Sequence, residues 1–146
     1  MEIILKNLQK KIPIPKTKIL NAAKTAIHKL RKKSRDRHYF FFKKAVPVPA
    51  FSLSIVFVGT KRMGAINKNF LNHDYVTDVL TFDLGEGSAE IIICPQVADM
   101  NAKEFQSTTE KELILYVIHG ILHLAGYDDH HPKDIQKMRQ MEKRLL

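Results

Sequence analysis

The sequence predicts an α+β fold: a four-stranded mixed sheet packed on helices, with a central histidine-bearing helix. Three observations predict it. Helix and strand signals follow one another in the order βαβαββααα along 146 residues. Four short runs carry apolar residues at strand length and spacing. The run Leu113–Ala125 is almost wholly apolar at helix length, which marks a helix buried on all sides. The length suits one domain spanning residues 1–146, with room for a real core.

Glu2–Leu8 reads as the first strand, broken by Pro13 and Pro15. Leu20, Ala23, Ile27 and Leu30 then recur at helical spacing, so a helix is expected from about Pro15 to Lys33. His38, Tyr39 and Phe40–Phe42 beside Lys43 and Lys44 are either a base-stacking surface or core. Pro47 and Pro49 mark a loop. Phe51, Leu53, Ile55 and Phe57 alternate with Ser52, Ser54, Val56 and Val58, a strand with one well-buried face. Thr60 is placed to cap a short helix with Met63, Ile66 and Phe70 inward. Asn72-His73-Asp74 is a turn. Thr77–Leu84 and Ala89–Cys94 read as strands joined by a short glycine-containing loop, a hairpin pattern. Pro95–Phe105 holds a helix with Val97 and Met100 inward. Thr109 and Glu112 form a capping box that starts the histidine helix, and Gly126 stands where a left-handed stop is expected. Pro132 opens the last helix, whose apolar stripe is Ile135, Met138, Met141 and Leu145.

The net charge of +9 is gathered at one end. Residues 1–50 carry +12 and residues 51–146 carry −3. Solubility would not require that asymmetry; a polyanionic partner explains it. The densest part, Lys29, Arg31, Lys32, Lys33, Arg35 and Arg37, is expected to contact backbone phosphates. No run reaches the ~18 apolar residues of a membrane span, and Met-Glu-Ile-Ile-Leu-Lys has no signal-peptide layout. With Cys94 alone no internal disulfide forms, so the expected compartment is the cytoplasm.

Four of the seven histidines lie between His119 and His131. His119 and His123 are four apart, on one face of their helix, and two imidazoles so placed can share one metal ion. Two histidines at this spacing can instead be core residues bonded to a carbonyl or a carboxylate. The surroundings favour the metal. Two unpaired imidazoles in an apolar helix are costly, and the Gly126 turn is followed at once by Asp128, Asp129, His130 and His131, any of which could close the site. Zinc is the expected ion. Zincins place a general-base Glu after the first histidine, but here that position is Gly120. Proteolysis by that design therefore lacks its base. A metal ion can still lower the pKa of bound water to ~7 and polarise a phosphoryl oxygen, so the expected catalyst is metal-bound water with no protein base assigned. Together with the basic third, this points to phosphodiester hydrolysis.

His119-Gly-Ile-Leu-His123-Leu-Ala-Gly-Tyr-Asp128, near the C-terminus of a basic chain, resembles the signature of the YbeY family of bacterial endoribonucleases. Asp74-x-x-Thr77-Asp78-Val79-Leu80-Thr81-Phe82 resembles that family's second signature. The resemblance covers the chain from about Phe51 to the end. It implies the same architecture, single-strand-specific metal-dependent cleavage of RNA, maturation of the 16S rRNA 3′ end, ribosome quality control, and rRNA and the small ribosomal subunit as partners. Two positions depart from the pattern. The family's third histidine stands ten residues after the first; here that position is Asp129, and His130 is one later. Spacing favours Asp129 and ligand preference favours His130, with a slight lean to His130; His131 is assigned to capping the last helix. Leu71 stands where many members carry an arginine credited with acting on RNA, so that contact falls to another cation such as Arg62 or Lys68. The alternative function is an RNA-binding ribosome-assembly factor whose metal is structural and closed by four protein ligands. A third, hydrolysis of a small phosphoester, leaves the basic third without a role.

Overall fold

A computed structural model describes residues 1–32, 38–41, 44–47, 51–73 and 75–146, with the backbone alone at 32, 38–41 and 44–47. The elements in chain order are β1 (Glu2–Asn7), α1 (Lys16–Lys32), β2 (His38–Phe41), β3 (Lys44–Pro47), β4 (Ser52–Phe57), α2 (Thr60–Leu71), β5 (Val79–Gly85), β6 (Ser88–Ile93), α3 (Pro95–Glu104), α4 (Thr109–Leu124) and α5 (Pro132–Leu145). Four strands form the expected mixed sheet in the order β1-β4-β6-β5. β1, β4 and β6 are parallel, and β5 runs antiparallel to β6 at one edge. Parallel neighbours need long crossovers, and the chain between β4 and β6 supplies one through α2 and the edge strand.

Alternation within β4 and β6 sends side chains to two cores. Leu53, Ile55, Phe57, Ile91 and Ile93 face α1 and α4, joined by Ile19, Ile27, Val117 and Ile121. Val56, Val58, Leu80 and Ile92 face the other way, onto Met63 of α2. Cys94 is buried with this second group, as a small hydrophobe. The histidine helix α4 contacts α1, α3, α5, β5 and β6, which makes it the central helix of the fold. No described helix is long and apolar enough to cross a membrane.

Several local expectations are corrected. The stretch around Pro47 is not simply a loop, because β2 and β3 pair as a second, two-stranded antiparallel sheet. Helix α2 begins after Gly59, so Thr60 is inside the helix and caps nothing with its side chain; its amide donates to Gln96 Oε1 at 3.2 Å. Its buried pair is Met63 and Asn67, four apart. Phe70 falls beyond that face, 70% exposed and edge-on to Phe82 at 5.7 Å. In α3, which packs on α4, the buried residues are Pro95, Ala98 and Ala102, and Met100, on another face of the helix, is exposed. Helix α4 is capped by Thr108, whose Oγ1 accepts the Lys111 amide at 3.2 Å. Thr109, one residue on, donates instead to Asp99 Oδ1 at 2.8 Å. His131 occupies the N-cap position of α5 but forms no cap bond with its ring.

Candidate metal centre

Helix α4 brings His119 and His123 over one another because they are one turn apart on one face. Their Nε2 atoms are 3.0 Å apart, and the rings meet edge to face at 83°. Gly120, between them, turns toward the sheet. A Cβ there would lie 2.8, 2.9 and 3.1 Å from three side-chain atoms of Ile91. A zincin-type glutamate there would crowd Ile91, and the position does not face the site.

The helix ends in a Schellman turn. The Gly126 amide donates to His123 O and the Tyr127 amide to Leu122 O, both at 3.0 Å, with Gly126 at φ 90°. Only a residue tolerant of the left-handed region fits there. The turn folds the following loop back along the histidine face, and Asp129 reaches it. Its Oδ2 is 3.3 Å from His119 Nε2 and 3.6 Å from His123 Nε2. His119, His123 and Asp129 each offer one ligand atom, all within 4.8 Å of one another.

His130 points elsewhere. Its ring Nδ1 pairs with Asp128, and the side chain is 78% exposed. It approaches Asp129 only on the other oxygen, Oδ1, at 4.0 Å. Asp128, Asp129 and His130 form a second, outward-facing group of potential ligand atoms that shares Asp129 with the first. Of the two residues between which the sequence left the third place, Asp129 faces the histidine pair and His130 does not.

The other ring nitrogens are held from behind. His123 Nδ1 donates to Tyr127 O at 3.1 Å, and His119 Nδ1 meets Glu142 Oε1 of α5 at 2.6 Å. A carbonyl and a carboxylate accept, so both Nδ1 atoms carry a proton, and with both rings neutral the two Nε2 lone pairs face the Asp129 carboxylate. Bonding to a carbonyl or carboxylate, the core-histidine alternative, therefore satisfies only the outer nitrogens. It leaves two lone pairs and a carboxylate oxygen converging, an arrangement a shared cation relieves. The donor set fits a zinc ion on this ground.

The electrostatics divide the pair. Burial opposes a charge on His119, but the Glu142 hydrogen bond and charge, with Asp129 and Asp78, outweigh it and hold this imidazole above its ordinary pKa. Burial and then the neighbouring His119 hold His123 below its own. Outside the pair, hydrogen bonding to Asp128 raises His130, and His130 in turn lowers Asp128.

Glu142 was not among the residues singled out from sequence. A signal existed: it is four residues after Met138 and three before Leu145, on the edge of the stripe that α5 buries. The Tyr127 carbonyl had none, because a main-chain acceptor leaves no mark in the sequence.

Of the expected RNA surface, Lys29 and the backbone of Arg31 and Lys32 lie on α1, where Lys29 Nζ donates to Arg144 O at 3.2 Å at the end of α5. The Lys32 side chain and Lys33, Arg35 and Arg37 lie outside the described residues, as do the side chains of the aromatic run at 38–42. Leu71 is exposed at the end of α2, and Arg62 and Lys68 are exposed along the same helix.

The family model described as Endoribonuclease YbeY matches residues 4–146. An endoribonuclease YbeY of Chlorobium luteolum is 39% identical over 100 residues, covering 66% of this chain and 73% of the relative. That of Thermotoga neapolitana is 48% identical over 94 residues, covering 64% of this chain and 62% of the relative. That of Thermotoga petrophila is 46% identical over 91 residues, and the match spans 59% of its length. A solution structure from Thermotoga maritima superposes with a TM-score of 0.60 at 32% identity, covering 99% of this chain and 86% of the other. With a family match from residue 4 to residue 146 and the histidine face built as described, the chain belongs to the endoribonuclease YbeY family.

Proposed function

We propose that this protein is a metal-dependent endoribonuclease acting in rRNA processing, with one zinc ion held by His119, His123 and Asp129. The observation that carries the site is the convergence of two Nε2 lone pairs and Asp129 Oδ2, with both Nδ1 atoms already engaged. A zinc ion bound there would supply Lewis acidity at the phosphoryl oxygen and lower the pKa of a bound water to ~7. The chain's own contribution is orientation. Tyr127 O and Glu142 fix both ring tautomers, the Schellman turn presents Asp129, and Gly120 seats α4 against β6. Among the described residues three ligands converge, which leaves a fourth position open, as a catalytic site requires, whereas a structural site is closed by four. That open position favours the enzyme over the assembly-factor reading.

The substrate in this reading is single-stranded rRNA, at the 3′ end of the small-subunit 16S rRNA, and the protein works with the small ribosomal subunit in the cytoplasm. Lys29, Arg31, Lys32, Lys33, Arg35 and Arg37 contact its phosphates, in keeping with the +12 charge of residues 1–50. The test is the His119→Ala, His123→Ala double variant. It should bind no zinc and cut no RNA, yet retain RNA affinity, because ligands and basic surface lie in different parts of the chain. Full zinc occupancy in that variant would refute the assignment.

A further inference from the structure

The parallel strands end together at one edge of the sheet, where Asn7, Phe57 and Ile93 stand level. The segments leaving that edge enclose a groove of ≈ 650 Å³, lined among others by Gln9, Lys11, Lys61, Arg62 and Gln96. Among the described residues three cations line it and no carboxylate does. Lys11, Lys61 and Arg62 are exposed, and none has an ion-pair partner among the described residues. Three like charges gathered without a counter-charge cost stability, which an anionic partner would recover.

The cations stand on fixed backbone. Gln9, only 8% exposed, spends its amide on the loop that carries Lys11. Its Oε1 accepts the Lys11 and Ile12 amides at 3.0 and 2.9 Å, and its Nε2 donates to Asn7 Oδ1 and Ile12 O at 2.9 and 2.8 Å. Gln96 fixes the other wall by accepting the Thr60 amide, immediately before Lys61 and Arg62. A buried glutamine committed to shaping a surface loop preorganises the lysine for a ligand.

The groove opens at the same edge of the sheet as Asp78. The Asp78 main-chain carbonyl accepts the Cys94 amide at 2.9 Å, just past the end of β6, and the charge of the Asp78 side chain acts on His119. The groove lies past the ends of β1 and β4. Along this edge two to three strand spacings, ~10–15 Å, separate the groove from Asp78. That is a path for an extended strand, not for a small molecule.

We propose that the Lys11–Lys61–Arg62 groove holds phosphates of single-stranded RNA and leads the strand along this edge to the metal centre. This rests on the ribonuclease reading above, and it adds a contact surface separate from the α1 cluster. The test is equilibrium binding of a single-stranded oligoribonucleotide to metal-free protein across a salt series, for wild type and for Lys11→Gln, Lys61→Gln, Arg62→Gln together. Each lost phosphate contact should flatten the slope of log affinity against log salt by ~0.7, so the triple variant should lose about 2 from it. Cleavage of a long substrate should show a raised KM, and zinc affinity should not move. If wild type binds and cuts RNA while the triple variant keeps its slope and KM, the groove assignment is overturned and the ribonuclease reading stands. If wild type has no affinity for RNA, the reading on which the groove rests falls with it.

Discussion

Gly120→Ala tests whether close packing of α4 on the sheet sets the geometry of the site. Ordinary carbon contacts lie near 3.5–4.0 Å, but the new Cβ would stand 2.8–3.1 Å from Ile91 Cδ1, Cγ2 and Cγ1. Either α4 retreats or Ile91 leaves its rotamer. Overpacking of this kind costs ~1–3 kcal/mol, offset by the ~1 kcal/mol that Ala gains over Gly inside a helix. The expected net loss is therefore roughly 0–2 kcal/mol, or a fall in Tm of about 2–4 °C for each kcal/mol. Ile91→Val removes Cδ1, the nearest atom. Alone it should cost ~0.5–1.5 kcal/mol; in the Gly120→Ala background it should cost less, with a coupling of at least ~0.5 kcal/mol. Thermal unfolding of the four metal-free proteins measures all of this. If Gly120→Ala is stabilised by the full helix-propensity gain and the double variant is additive, the close-packing argument is wrong.

Three further outcomes are expected. Glu142→Gln should weaken zinc binding by roughly 10–100-fold, and should shift the acid-side loss of binding to lower pH, since the Glu142 carboxylate is what holds His119 above its ordinary pKa; an unchanged affinity and profile in chelator competition would show that the 2.6 Å contact does not act on the ligand. Asp129→Ala should lose zinc nearly as badly as His123→Ala while His130→Ala is milder, and the reverse order in zinc titrations would make His130 the ligand. Tyr116 is buried, and burial, against the opposing Asn101 hydrogen bond, pushes its hydroxyl up to about 12. Its unfolded pKa is ~10, so this contribution is intact below pH ~10 and is lost as pH rises toward 12, by roughly 3 kcal/mol in all; urea midpoints of Tyr116→Phe should lack that fall.

The fold was legible where periodicity and burial coincide. Leu53 to Phe57 and Leu113 to Ala125 are set by a large area of apolar surface that has only one place to go, and those elements stand as read. The errors cluster where side chains at equal periodicity compete for a face. Phe70 and Met100 are more hydrophobic than Asn67 and Ala98, yet the smaller residues are inside, because the face that neighbouring elements cover decides and sequence does not encode it locally. The same limit applies at the site. His119, His123 and the Gly126 stop follow from spacing and backbone conformation. Which of Asp129 and His130 turns inward depends on how the chain leaves the Schellman turn, a tertiary outcome. Glu142 lies 23 residues from His119, and only the packing of α5 brings it there.

The central claim is that RNA cleavage requires one metal ion at the His119–His123–Asp129 face. It is tested most directly by titrating zinc into metal-free protein while following internal cleavage of a single-stranded rRNA fragment. Cleavage should be absent without metal, rise in step with occupancy, and reach its plateau at one ion per chain. Cleavage by fully metal-free protein, or a plateau unrelated to occupancy of these residues, would contradict the account.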